Sequence, residues 1–298
     1  MVARPCVGDM HTQGGNGLGN QLYAAMVVWL YATTFDRCLV IRSPVIRLGF
    51  NLPSYALESY PTSYPVVDMP EQLSPKALAQ EFKNGRVHFR TRWWWHKEKV
   101  KSFILKQHNV TNVQEAMRLA AKALFSLRSD ALRHHMRSIQ TWPTTAVHLR
   151  TSSDSYCKLE HMDGVGDCGQ CVPKHVAHCV WNMSIGKTVL MSDSPELVNR
   201  LQRAGYFTER DMLGHASSTK RSTTQEDPQK LLDTLSLWWV LKSVKWAIGT
   251  PTSTFSKSAF LSAKTLEHRF LMDMRCTKSY ASDSDLYTCQ QASVQALV

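Results

Sequence analysis

With 298 residues and 43% apolar content, the chain is long enough for two domains of ordinary size and too apolar for a mostly disordered protein. Its 35 basic and 24 acidic residues leave a formal charge of +11, which favours phosphates, nucleotides, acidic glycans or other polyanions as partners. No apolar run reaches the roughly 18 residues of a membrane span, and no signal-peptide pattern opens the chain, so a lumenal protein of this sequence is expected to lack its targeting segment here.

In chain order, the first organised stretch is Gly14-Gly15-Asn16-Gly17-Leu18-Gly19-Asn20-Gln21-Leu22. It runs into a helical pattern of Leu22, Met26, Trp29, Leu30 and Thr33. Gly17 and Gly19 allow backbone angles and close approaches that side chains forbid, and a helix start offers amides to an anion, although glycines in such loops also serve plain turn geometry. Cys38-Leu39-Val40-Ile41 then reads as a short buried strand. Ser43 to Pro75, with six prolines, is expected to be irregular and to rim a cleft.

Between Arg86 and Lys106, seven cations (Arg86, Arg90, Arg92, Lys97, Lys99, Lys101, Lys106) face one acid, Glu98. Phe89, Trp93, Trp94 and Trp95 are interleaved. Such a stretch suits single-stranded nucleic acid or a sulfated glycan; equally, it suits a strand and loop with a solvated basic face and inward tryptophans. Val113 to Ser129 reads as an amphipathic helix and Ser129 to Ile139 as a second, ending before Trp142-Pro143. Thr145 to Arg150 is a strand, Lys187 to Asp193 another, and Ser194 to Ala204 a helix opened by Ser-Pro and closed by Gly205. Gly214 to Asp227 is polar loop. Leu231 to Lys242 is helix, Val244 to Gly249 strand, and Ser253 to Ala263 helix. Strands alternating with helices imply parallel sheets.

Eight cysteines fit four disulfides, zinc ligation or free thiols. Four of them lie between Cys157 and Cys179 at spacings poor for a zinc ribbon, and Cys276 with Cys289 could staple a C-terminal loop. Two sequons, Asn109-Val110-Thr111 and Asn182-Met183-Ser184, join the even cysteine count in pointing to an oxidising, secretory compartment and a glycoprotein with disulfide bonds.

Ligands of parallel sheets bind beyond the carboxyl ends of the strands. Three such ends here carry polar groups. In His148-Leu149-Arg150-Thr151-Ser152-Ser153-Asp154, His148 and Arg150 share one face of an extended chain, and an arginine fork suits a diphosphate. Ser192-Asp193 ends the second strand. Thr250-Pro251-Thr252-Ser253-Thr254-Phe255-Ser256 offers hydroxyls, helix-start amides and a ring for a base.

Taken together, GGNGLGNQL with its helix and CLVI, the VHLRTSSD stretch, SDSPELVNRL and the Ser-Thr-Phe turn resemble the GDP-fucose-dependent fucosyltransferases, closest to the HLRxxSD form of the protein O-fucosyltransferases. The resemblance spans Gly14 to Ile41 and Thr145 to about Ala263. It implies an α/β protein of GT-B-like architecture: two Rossmann-like halves with parallel sheets, residues 1–142 on the acceptor side and 143–298 binding the nucleotide sugar. It implies an inverting glycosyltransferase that moves fucose from GDP-fucose to a glycan or protein hydroxyl in the Golgi or endoplasmic reticulum lumen. Neither metal nor cofactor is expected.

By the same resemblance, Arg150 clamps the diphosphate, His148 and Asp154 orient it, and Ser253, Thr254 and Phe255 line phosphates and guanine. Asp233 is a guanine-side or structural acid, and Gly17, Gly19 and Asn20 face the fucose and the acceptor. Two features depart from the family: the chain is short for two full halves, and the glycine loop offers Asn16 and Asn20 where a carboxylate base is wanted. Asp9, Asp154 or the leaving phosphate then takes the proton. The alternatives are a basic nucleic-acid- or sulfated-glycan-binding protein using residues 86–106, and a transferase-like protein that binds without catalysing.

Overall fold

The computed structural model describes residues 5–9, 17–69, 74–84, 87–91, 98–128, 142–149, 186–192, 228–250, 253–265, 267–271 and 295–296. The chain divides into two compact units, Met1–His134 with Thr219–Leu232, and His135–Ser218 with Asp233–Val298.

The first unit is built on an all-parallel sheet. Its strands are β1 (Cys6–Asp9), β2 (Cys38–Val40), β3 (Ala56–Leu57), β4 (Val66–Asp68) and β5 (His88–Thr91), in the order β3-β2-β1-β5-β4. Central β1 pairs with β2 and β5. Helix α1 (Leu18–Thr34) connects β1 to β2 and is apolar nearly all round, as a central buried helix must be. Twelve of its 17 residues are buried, including Ala24, Ala25, Val28 and Tyr31.

Alanines set the helix packing. On α5 (Val113–Leu124), Ala116, Ala120 and Ala121 are buried and let it lie close on α1. The start of α5 is doubly capped: Asn112 Oδ1 accepts from the Glu115 amide at 2.9 Å, and Glu115 reaches back to the Thr111 amide at 2.9 Å. This satisfies amides that a helix start would otherwise leave to water. Cys6 and Cys38, directly paired across β1 and β2, form a disulfide.

Two expectations fail in this unit. The stretch from Ser43 to Pro75 is not irregular. It holds α2 (Pro44–Gly49), β3 and β4. Ser43 caps α2 by accepting from the Ile46 amide at 3.2 Å with Pro44 in the first turn, while strands of two and three residues are too short to show alternation. The basic stretch is not strand and loop throughout either: after β5 comes α4 (Glu98–Gln107), with Val100 and Ile104 buried four apart. A further helix, α3 (Pro75–Asn84), precedes β5. The tryptophans at 93–95 lie outside the described residues.

The second unit has strands β6 (Thr145–Leu149), β7 (Thr188–Ser192), β8 (Trp246–Gly249), β9 (Arg269–Leu271) and β10 (Gln295–Ala296), ordered β10-β9-β8-β6-β7. Only β10 runs antiparallel. The expected strands at 145–150, 187–193 and 244–249 are thus present within a residue or two. Helices α6 (Pro228–Ser243), which belongs to this unit from Asp233 on, and α7 (Thr254–Leu261) match the two expected there. Trp238 of α6 is fully buried and donates from its indole to Ser258 Oγ of α7 at 3.0 Å. Arg269 ends α6: its guanidinium donates to the carbonyls of Lys242, Val244 and Lys245, groups a helix end leaves open. Burial lowers its pKa to about 10.

The readings of helices at 129–139 and 194–204, the loop at 214–227, the cysteine cluster at 157–179 and the Cys276/Cys289 staple lie outside the described residues. No described helix is long and apolar enough to cross a membrane.

Candidate functional site

In the second sheet β6 lies between β7 on one side and the central β8 on the other. The chain leaves β6 toward β7 and leaves β8 toward β9, so the carboxyl ends of β6 and β8 flank a topological switch point. Open parallel sheets take ligands there.

Four described side chains converge at this point. His148, near the end of β6, is buried, and its Nδ1 lies 2.7 Å from Ser256 Oγ in α7. Phe255 packs its ring on the imidazole with centroids 4.9 Å apart. Thr250 Oγ1 donates to the His148 carbonyl at 3.0 Å and so ties the strand ends together. Close packing of helix on strand makes this possible. A Cβ at Gly249 would lie 2.6 Å from Ser256 Cβ and 3.0 Å from Phe260 Cζ, so only glycine lets α7 sit directly on the end of β8. The start of α7 therefore stands at the carboxyl edge of the sheet. Ser253 is its N-cap residue, and its hydroxyl makes no capping bond. Ser192, buried at the end of β7, pairs with Leu149 and extends this edge.

The expected residues His148, Ser253, Thr254 and Phe255 thus meet in one place. Arg150 and Asp154 lie outside the described residues, as does Asp193. Asp233 lies on α6, and its side chain is not among those described. Ser256 belongs to the hydroxyl turn expected here, but its bond to His148 was not foreseen; Gly249 was not singled out from the sequence, although a glycine ending an apolar strand just before a Thr/Ser turn carries the signal.

At the carboxyl edge of the first sheet, Asp9 of β1 pairs with Thr91 of β5. Gly17 is the N-cap residue of α1, and Asn20, half-buried, donates its amide to the Gly17 carbonyl at 2.9 Å. Of the two reasons expected for Gly17 and Gly19, special backbone angles are not what is found. Gly17 has φ −56°, Gly19 is helical, and among the described glycines only Gly186 has a positive φ.

Beneath that edge, His88 is fully buried. Its Nδ1 accepts from the Cys6 amide at 2.8 Å while Nε2 donates to the Pro61 carbonyl at 2.8 Å. Burial lowers its pKa, as the neutral tautomer requires. Among the described residues, no group of three or more His, Cys, Asp or Glu is placed to hold a metal ion.

No protein-family model matches the sequence, and no curated protein shows significant similarity to it. Among solved structures, the chain is similar to a mutant of Arabidopsis thaliana FUT1 in complex with GDP, with a TM-score of 0.54 and 12% identity over 87% of this chain and 69% of that one. It is also similar to POFUT1 in complex with GDP (TM-score 0.45, 13% identity, 86% of this chain and 94% of that one). For POFUT1 in complex with GDP-fucose the values are TM-score 0.46 and 12% identity, over 89% and 97%. The protein has an α/β, GT-B-like fold of two Rossmann-like halves with parallel sheets.

Proposed function

We propose that the protein is an inverting glycosyltransferase that transfers fucose from GDP-fucose to a hydroxyl of a glycan or protein. The observation that carries this reading is the carboxyl edge of the second sheet, where His148, Thr250, Phe255 and the start of α7 meet at a switch point. The FUT1 structure of similar fold holds GDP, which supports the choice of nucleotide.

In this reading Phe255 stacks on guanine, and Ser253, Thr254 and the first-turn amides of α7 take phosphate oxygens. Ser256 holds the imidazole of His148 in one orientation. Arg150, two residues beyond His148 in the chain, clamps the diphosphate, with Asp154 to orient it and Asp233 on the guanine side. The acceptor oxygen attacks the anomeric carbon, the bond from that carbon to phosphate breaks, and GDP leaves with the negative charge that Arg150 stabilises. The acceptor proton passes to Asp9, to Asp154 or to the leaving phosphate. Asn20, Gly17 and Gly19 serve the sugar and the acceptor.

A Golgi or endoplasmic reticulum compartment accords with the Cys6–Cys38 disulfide, since such bonds persist in oxidising lumens. Incubation with labelled GDP-fucose over a panel of glycan and peptide acceptors tests the activity. Labelled product that disappears in Arg150→Ala is the expected result. GDP binding without transfer to any acceptor would leave a transferase-like binder instead.

A further inference from the structure

Helix α4 ends at Gln107 in a turn that few residue types can make. The Val110 amide donates back to the Leu105 carbonyl at 3.1 Å and the Asn109 amide to the Lys106 carbonyl at 3.2 Å, the paired bonds that close a helix around a left-handed residue. Asn109 is that residue, with φ +53°. Glycine or asparagine fits there, whereas most side chains would strain the backbone. The turn thus accounts for the backbone of Asn109 but not for its carboxamide. The residue is exposed, and its side chain makes no hydrogen bond among the described residues.

Asn109-Val110-Thr111 is one of the two sequons, and the fold sets it at the surface. Lys106, Gln107, Thr111 and Asn112 around the turn are exposed as well, so a large polar substituent on Asn109 displaces no buried side chain. Helix α1 leaves the carboxyl end of β1 and returns to the amino end of β2, so its last turn lies at the amino edge of the first sheet. His108 is anchored on that turn: its Nε2 lies 3.1 Å from Thr34 Oγ1, and its ring packs on Trp29 with centroids 5.6 Å apart. Asn109 follows directly. It stands at the opposite end of the unit from the start of α1, where Gly17 and Asn20 lie.

We propose that Asn109 carries an N-linked glycan that stands at the amino edge of the first sheet. This rests on the lumenal compartment read above and assigns the modification to one residue. The donor is an oligosaccharide carried on a lipid diphosphate. The Asn109 carboxamide nitrogen bonds to its anomeric carbon, and the bond from that carbon to the phosphate oxygen breaks. The lipid diphosphate leaves with the electron pair, and the nitrogen gives up one proton. Thr111 supplies the hydroxyl of the sequon. Once α5 has formed, that hydroxyl donates to Glu115 at 3.0 Å, so the transfer takes place on the entering chain and the fold has only to house the product.

The test expresses the full chain behind a secretory signal sequence in cells with lumenal N-glycosylation, with Asn182→Gln throughout to silence the other sequon. Asn109→Gly, Thr111→Ala and Thr111→Ser are compared with this parent; glycine keeps the left-handed turn, so loss of the glycan in that variant is not a loss of fold. The parent and Thr111→Ser should run as a heavier form that peptide N-glycosidase collapses, with Asn109 converted to an aspartate in the digested peptide. Asn109→Gly and Thr111→Ala should run collapsed from the start. An unmodified Asn109 in a parent chain whose Cys6–Cys38 bond has formed overturns the proposal, as does a heavier form that persists in Asn109→Gly. The same peptide from protein isolated from its own cells separates the site from the compartment. A bare Asn109 beside an oxidised Cys6–Cys38 pair overturns the site alone; beside reduced cysteines it overturns the lumenal reading as well.

Discussion

Substitution of Gly249 by Ala probes the packing on which the second-sheet site depends. The added methyl would sit 2.6 Å from Ser256 Cβ and 2.7 Å from its Oγ, both well inside van der Waals contact. Ser256 cannot swing away freely, because it is fully buried and bonded to His148 at 2.7 Å. Either α7 lifts from β8 or the His148–Ser256 bond breaks. Overpacking of this kind costs about 1–3 kcal/mol, and a lost buried hydrogen bond adds about 1 kcal/mol. Urea denaturation followed by tryptophan fluorescence should therefore show a loss of about 2–4 kcal/mol. The second substitution, Ser256→Gly, removes both colliding atoms and leaves only Phe260 Cζ at 3.0 Å. Gly249→Ala should cost clearly less in the Ser256→Gly background than alone, with a coupling of about 1 kcal/mol or more. Wild-type stability in Gly249→Ala, or strictly additive costs in the pair, would refute the seating of α7 on the strand end.

Two other predictions concern the first sheet. The Cys6–Cys38 bond closes a segment with a sequence separation of 32, for which chain entropy gives about 3–4 kcal/mol, so Cys6→Ala/Cys38→Ala should lose about that much in non-reducing denaturation. His88 is held neutral with a pKa below 6.5, so the unfolded chain binds the extra proton as pH falls. Its contribution to stability should be full above about pH 6.5 and lost as pH drops through the folded-state pKa. The fall in unfolding free energy between about pH 7.5 and about pH 5 should be smaller in His88→Gln than in wild type, and an equal fall would contradict the assignment.

Much of the second unit was legible because its strands are continuous apolar runs with polar ends, as buried parallel strands are. Thr145 to Leu149, Thr188 to Ser192 and Trp246 to Gly249 each show this. The grouping of His148 with the Ser253-Thr254-Phe255 turn followed from topology once those strands were placed side by side. The first unit hid more. Cys6–Asp9, the central strand, is four residues long, and β3 and β4 are shorter still. Their pairing is set by neighbours far away in the chain, which no local period reports. In the basic stretch, Val100 and Ile104 mark a helix face, but the density of lysines and tryptophans drew the reading toward a loop. The seat of Tyr60 depends on the absence of a side chain at Gly8, a relation that spans 52 positions of sequence and leaves no motif.

The central claim is that the second unit holds a guanosine diphosphate sugar at the junction of His148, Phe255 and the start of α7. Thermal unfolding of wild type, Phe255→Ala and Arg150→Ala with GDP, UDP and ADP tests it most directly. At a concentration of about 100 times Kd, a specific ligand adds about 2.7 kcal/mol to stability. GDP should raise the wild-type transition by several degrees, with UDP and ADP far weaker and the GDP shift lost in both variants. No shift of the wild-type protein with GDP or GDP-fucose would contradict the claim.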